Sequence, residues 1–222
     1  MIPRALKRLF HQISISDQSY RFMFERGPAD EVVAIDCETT GLDIRTDDII
    51  SIAAIKIRGS RILTSEAYQV VARPEAQMRA DAIKVHQLFE ADVAGGGRLY
   101  PALARLLHFI GGRPLVGYYL DFDIRMLDKH VLPFVSIELP NPRIEVSRLY
   151  YERKYRNAPP GTPVDLSFAA ILNDLGLPRL PPHDAFNDAL MTAMMYVALR
   201  DLEARGVSIP RVRTGSAIGP IG

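Results

Sequence analysis

A single cysteine, Cys37, stands among the 222 residues, which excludes an internal disulfide and any cysteine-based zinc site. A reducing compartment, the cytoplasm, is the matching expectation. No apolar run approaches the roughly 18 residues that a membrane-spanning helix requires, so no membrane association is expected. With 48% hydrophobic and 24% charged residues, the chain does not have the composition of a disordered protein. There is no secretory apolar segment and no internal repeat. Gly95-Gly96-Gly97 lacks the lysine of a phosphate-binding loop and reads as a turn. Net charge is nearly absent too, at +1, but it is unevenly spread. Residues 1–30 hold five Lys/Arg against three Asp/Glu, and residues 205–222 hold three Arg and no acid. The 19 basic and 23 acidic residues between them leave an acidic middle. Such a balance argues against gripping nucleic acid by bulk positive charge and suits carboxylates that hold divalent cations.

The length fits one domain with a full core. Leu6, Leu9, Phe10 and Ile13 share a helical face beside Arg4, Lys7 and Arg8, so residues 1–30 read as a helical extension packed on the domain, with a transit peptide as the alternative. Residues 205–222 mix Gly, Pro and Arg without periodicity and read as a flexible basic tail. The domain proper spans 31–204. Its apolar and β-branched runs at 32–36, 49–57 and 61–71 predict a three-stranded antiparallel meander. Beyond Pro74 the period changes. Helices are expected at 100–110, 122–130, 164–175 and 184–204, with short strands at 114–117 and 143–146. Strands followed by alternating strands and helices indicate an α/β fold with a mixed sheet.

Asp36 and Glu38 lie two residues apart at the end of the first strand and project to one side of it. Two like charges beside a buried strand are costly unless a cation lies between them or one is protonated. Magnesium fits, being bound through a few carboxylates while it keeps water and phosphate oxygens. A solvent-facing strand end carries the same Asp-x-Glu spacing. Asp123 opens a helix after the strand at 115–117, where its charge suits the helix dipole, and Asp121 is an equal candidate on spacing alone. In His183-Asp-Ala-Phe-Asn-Asp188, Asp184 can cap the last helix while Asp188 faces inward.

Three stretches together resemble the DEDDh 3′-to-5′ exonucleases, the family that includes the proofreading subunit of bacterial DNA polymerase III. They are Val33-Ala-Ile-Asp36-Cys-Glu38-Thr39-Thr-Gly41-Leu42, Leu115-Val-Gly-Tyr118-Tyr119-Leu-Asp-Phe-Asp123 and His183-Asp-Ala-Phe-Asn-Asp188. Asp48-Ile-Ile-Ser-Ile-Ala53, Arg73-Pro74 and Val85-His86 are weaker echoes, and the resemblance runs from about Val32 to Leu199. It implies a ribonuclease H-like fold, a central mixed sheet flanked by helices. It also implies that Asp36, Glu38, Asp123 and Asp188 hold two divalent cations, Mg²⁺ or Mn²⁺, about 3.5–4 Å apart. His183 would take a proton from the attacking water. The implied substrates are single-stranded or frayed DNA 3′ ends, the products nucleoside 5′-monophosphates. RNA or short oligoribonucleotides are the alternative within the family, and a catalytically silent binding module is the alternative outside it. By the same resemblance Thr39 and Leu42 position the terminal nucleotide. Tyr118 and Tyr119 replace the His-Asn of many relatives and either stack on a base or fill core space. Gln87 stands where a Gly often follows the matching His, which favours a structural His86. No polymerase segment is expected within 222 residues, so proofreading would serve a polymerase or repair partner.

Arg148 to Arg156 interleaves basic residues and tyrosines, the composition of a surface helix or of a nucleic-acid contact. Met191, Met194 and Met195 mark a core face. Cys37, between two carboxylates, is not expected to form a reactive thiolate.

Overall fold

A computed structural model describes residues 13–76, 78 and 93–211. The readings of Leu6 to Phe10, Val85-His86-Gln87 and residues 212–222 lie outside the described residues. Strands β1 (Glu31–Thr39), β2 (Ile49–Arg58), β3 (Arg61–Ile62), β4 (Tyr68–Val71), β5 (Leu115–Gly117) and β6 (Arg143–Glu145) form one mixed sheet. Both β3 and β4 pair with β2, and the order continues β2-β1-β5-β6. The β1–β2 pair is antiparallel over its length, whereas β1–β5 and β5–β6 are parallel. Helices α1 (Leu99–Ile110), α2 (Leu120–Val135), α3 (Val146–Lys154), α4 (Phe168–Asp174) and α5 (Ala185–Ala204) flank it. None of the described helices is long and apolar enough to cross a membrane.

The meander is present with one correction. The run 61–71 is two strands, because Thr64–Glu66 form a short 3-10 turn between them. α2 continues past the expected end at His130 to Val135 and carries Pro133 within its last turn. α4 starts at Phe168 rather than at 164, since the Ser167 side chain accepts the Ala170 N–H and the Asp165 carboxylate accepts the Ser167 N–H.

Side chains alternate across the sheet and build a core on each face. On one face, Val33, Ile35 and Cys37 of β1 pack with Leu103, Leu107, Ile124 and Leu127 of α1 and α2. Ile15, Tyr20, Met23 and Phe24 join that core, so residues 15–24 of the N-terminal extension are part of the domain. On the other face, Val32 and Ala34 pack with Val146, Tyr150, Ile171, Met191 and Met195 of α3, α4 and α5. Ile209 is buried there and its N–H donates to the Arg153 carbonyl, which corrects the reading of the tail as flexible from residue 205 onward. In the basic stretch, Tyr150 and Tyr155 are core residues, and Tyr151 is exposed. The amphipathic-helix reading holds for α3.

Candidate active site

The alternation that sends Val33, Ile35 and Cys37 to one face of β1 sends Asp36 and Glu38 to the other, towards α5. There Asp188 meets them. Carboxylate oxygens of Asp36, Glu38 and Asp188 all lie within 4.8 Å of one another.

Asp188 is aimed by the start of α5. Asp184 is the N-cap and accepts the Asn187 N–H at 2.9 Å, as its spacing predicts. One turn on, the Asp188 Oδ2 accepts the His183 N–H at 3.0 Å. His183 has φ +62°, a left-handed conformation that turns its N–H back to the helix and leaves its side chain exposed. Asn187 donates from Nδ2 to the Pro181 carbonyl and ties down the preceding segment. His183 and Glu38 both line a cleft of about 560 Å³ whose floor includes Ser51, Ala53 and Val70.

Asp123 arrives from the neighbouring strand-to-helix turn. A Cβ on Gly117 would lie 2.7–2.8 Å from Leu120 atoms, so the close approach at this turn requires glycine. Tyr119 then takes φ +52°, a strained value for a tyrosine that costs about 1–3 kcal/mol. Asp123 sits in the first turn of α2 and is buried. Asp121, equal to it on spacing, is instead exposed and paired with Arg143 at 2.9 Å. A residue that sequence reasoning missed also holds this turn. Glu145, at the end of β6, accepts the Leu120 N–H at 3.0 Å and both the N–H and hydroxyl of Ser147. It caps α2 and α3 at once. An acid followed by Val-Ser at a strand-to-helix junction was the only sequence signal for it.

The electrostatics are those of a site built for cations. Burial, Asp123, Glu38, Asp188 and Asp184 all push the Asp36 carboxyl far above its ordinary range. Burial followed by Asp188 and Asp184 raises Glu38 to about 7. Burial raises Asp123 well above its ordinary range, with Glu38 and Glu145 adding to it, and burial raises Asp188. Burial and the same carboxylates push the Cys37 thiol up, in keeping with an unreactive cysteine. The Asp188 Oδ1 is buried without a hydrogen-bond partner. Converging hard oxygens, mutual repulsion and an orphaned carboxylate oxygen fit a divalent cation held by Asp36, Glu38 and Asp188, with Asp123 beside them.

The loop after β1 is rigidly built. Thr39 is buried and its hydroxyl donates to the Gly41 carbonyl at 2.7 Å. Thr40 accepts the Asp48 N–H, and Asp48 in turn accepts from Lys129 Nζ and from the N–H groups of Glu75 and Ala76. From this frame Leu42 projects 81% exposed. Tyr118 and Tyr119 differ: the Tyr118 hydroxyl donates to the Leu166 carbonyl at 3.1 Å and the ring is half-buried, whereas Tyr119 is exposed.

The sequence pattern of the RNase_T family, described as exonuclease, matches residues 33–196. The DNA polymerase III epsilon subunit of Aquifex aeolicus is 25% identical over 167 residues, 75% of this chain and 79% of that protein. An oligoribonuclease of Streptomyces griseus is 29% identical over 150 residues, 59% of this chain and 74% of that one. A PolC-type DNA polymerase III of Thermotoga maritima is 25% identical over 166 residues, 74% of this chain, but the match spans only 11% of its length. Among solved structures, exonuclease X in complex with 5′-overhanging duplex DNA superposes with a TM-score of 0.60 at 23% identity, covering 80% of this chain and 95% of that one. That likeness establishes the ribonuclease H-like fold expected from the sequence.

Proposed function

This chain belongs to the RNase_T exonuclease family, and from that premise we propose a metal-dependent 3′-to-5′ exonuclease that releases nucleoside 5′-monophosphates from DNA. The observation that carries the reading is the meeting of Asp36, Glu38 and Asp188 within 4.8 Å, with the Asp188 Oδ1 buried and unpartnered. Two divalent cations bound there would make a coordinated water more acidic and neutralise charge on the leaving 3′ oxygen. Asp36, Glu38 and Asp188 would hold the cations, and Asp123 would complete the set from α2.

His183 has its backbone fixed by Asp188 and its imidazole exposed beside the cleft. Its role is to accept the proton of the attacking water. The rigid loop that carries Thr39 and the exposed Leu42 positions the terminal nucleotide, Thr39 through backbone and Leu42 through apolar contact. All five chemistry-bearing residues are present, which favours an enzyme over a silent binding module.

Similarity to the A. aeolicus DNA polymerase III epsilon subunit favours DNA as the substrate and a polymerase as partner; single-stranded or frayed 3′ ends and a cytoplasmic setting complete the proposal. The S. griseus oligoribonuclease supports a second reading, in which short RNA is the substrate. Both are tested by incubating the protein with Mg²⁺ and a single-stranded DNA or the matched RNA, and identifying the products by mass. Deoxynucleoside 5′-monophosphates from DNA at the higher rate are expected. Faster attack on RNA would transfer the assignment to the second reading, and 3′-monophosphates or intact polymers would refute the proposal.

A further inference from the structure

Adjacent in sequence, Tyr118 and Tyr119 have opposite environments. Tyr118 is fixed by its hydroxyl bond to Leu166 and by edge contact with Phe168, ring centroids 5.0 Å apart at 72°. Tyr119 is 73% exposed, so burial does not explain an aromatic side chain there. Nor does the backbone, since a left-handed residue at a helix N-cap is ordinarily Gly or Asn. Capping does not explain it either: the Tyr119 side chain makes no cap bond, and the first N–H of α2 is met by Glu145. The ring is nevertheless held in place. It meets Tyr118 edge-on with centroids 4.7 Å apart at 79°, so the Phe168–Tyr118 pair props it outward from the first turn of α2, the turn that carries Asp123.

Its neighbourhood suggests what such a ring would bind. The charged side chains that act most on Asp36 and on Glu38 are acidic: Asp123, Glu38, Asp188 and Asp184 on Asp36, and Asp188 and Asp184 on Glu38. A polyanionic strand gains nothing from these residues through its phosphates beyond what bound cations provide. Its bases, however, offer uncharged faces, and stacking on an aromatic ring binds any base without reading it. β1 and β5 are parallel neighbours, so their C-terminal loops rise at the same end of the sheet. These two loops carry the exposed side chains of Leu42 and Tyr119.

We propose that Tyr119 is a stacking platform for a base among the last three nucleotides of the substrate strand, a positioning residue that sets affinity independently of sequence. The inference rests on the exonuclease reading above. Its test uses short single-stranded DNA with 2-aminopurine as the last, second-last or third-last base. Fluorescence is read with the full chain in Ca²⁺, and digestion kinetics in Mg²⁺. Wild type and Tyr119→Phe should quench the probe at one of the three positions. Tyr119→Ala and Tyr119→Asn should lose that quenching and raise KM about tenfold, with kcat within about twofold. Asn suits the left-handed backbone, so Tyr119→Asn should melt no lower than wild type and separates loss of the ring from loss of fold. Equal quenching and KM in wild type and both ring-less variants would overturn the stacking role while leaving the nuclease intact. Absence of digestion by the wild type would instead refute the nuclease reading on which the inference stands.

Discussion

Asp36, Glu38, Asp123 and Asp188 form a group that costs the metal-free protein stability, and that cost has a pH dependence. A carboxyl whose folded pKa is raised binds more protons folded than unfolded between the two values. For Glu38 those values are 4.5 and about 7, so its contribution to metal-free stability falls as pH rises through that window and stays low above it. Melting of the metal-free protein should therefore occur at a lower temperature at pH 8 than at pH 5.5, and Mg²⁺ should raise it more at pH 8. Asp36→Asn, which removes one buried like charge, should melt higher than wild type at pH 8 without metal and respond little to Mg²⁺. A Tm of the metal-free wild type that rises towards pH 8 would contradict this account. His183 lies on the surface, so His183→Ala should fold normally and lose about 10²- to 10⁴-fold in kcat, the range for a general base. Spacing alone put Asp36 and Glu38 on one side of β1 and left a solvent-facing strand end open; the three stretches taken together, through their resemblance to a family, singled out these residues. Glu145 was not legible. Its cap on α3 is local, but its hold on α2 depends on the parallel β5–β6 pairing that brings the Leu120 N–H to it.

Among the elements, the β5-to-α2 turn bears most directly on the site, because it decides where Asp123 points. Glu145→Ala would leave the Leu120 and Ser147 N–H groups without their acceptor and should destabilise the protein by about 1–3 kcal/mol. By loosening the first turn of α2 it should also lower kcat, a loss that Glu145→Gln partly restores through its remaining amide oxygen. Chemical denaturation alongside kinetics checks both; unchanged stability and kcat in Glu145→Ala would remove the residue from the account. The helix that runs on through Pro133 shows where local signals fall short. A proline within a periodic stretch predicts an end, but here it lies in the last turn, and Val131 and Val135 are both buried in the α1–α2 core. The split of 61–71 is a similar case, since β-branched composition predicts strand while Thr64–Glu66 turn at the sheet edge.

Taken whole, the molecule is a ribonuclease H-like sheet whose two faces are covered by different parts of the chain. The N-terminal extension belongs to one of those faces; its packing on the domain was expected from the amphipathic pattern, but the anchoring residues Tyr20, Met23 and Phe24 sit in a 3-10 segment outside that pattern. Removing residues 1–25 takes away, among the described residues, the four buried apolar side chains of Ile15, Tyr20, Met23 and Phe24, each worth about 1.5–3 kcal/mol, and should lower Tm by about 10 °C or more. A deletion that melts like the full chain would show that this segment is dispensable to the core. The acidic balance of the middle of the chain was legible from composition, and in the fold a concentration of carboxylates, Asp36, Glu38, Asp123 and Asp188, gathers at one site. The central claim is that this concentration of carboxylates serves metal-dependent hydrolysis from a 3′ end. It is tested most directly by following a 5′-labelled single-stranded DNA with Mg²⁺, with EDTA, and with Asp36→Asn. The account predicts a ladder of labelled products that shortens stepwise in Mg²⁺ alone. Immediate release of the label as a mononucleotide, or a ladder that persists in EDTA or in the variant, would contradict it.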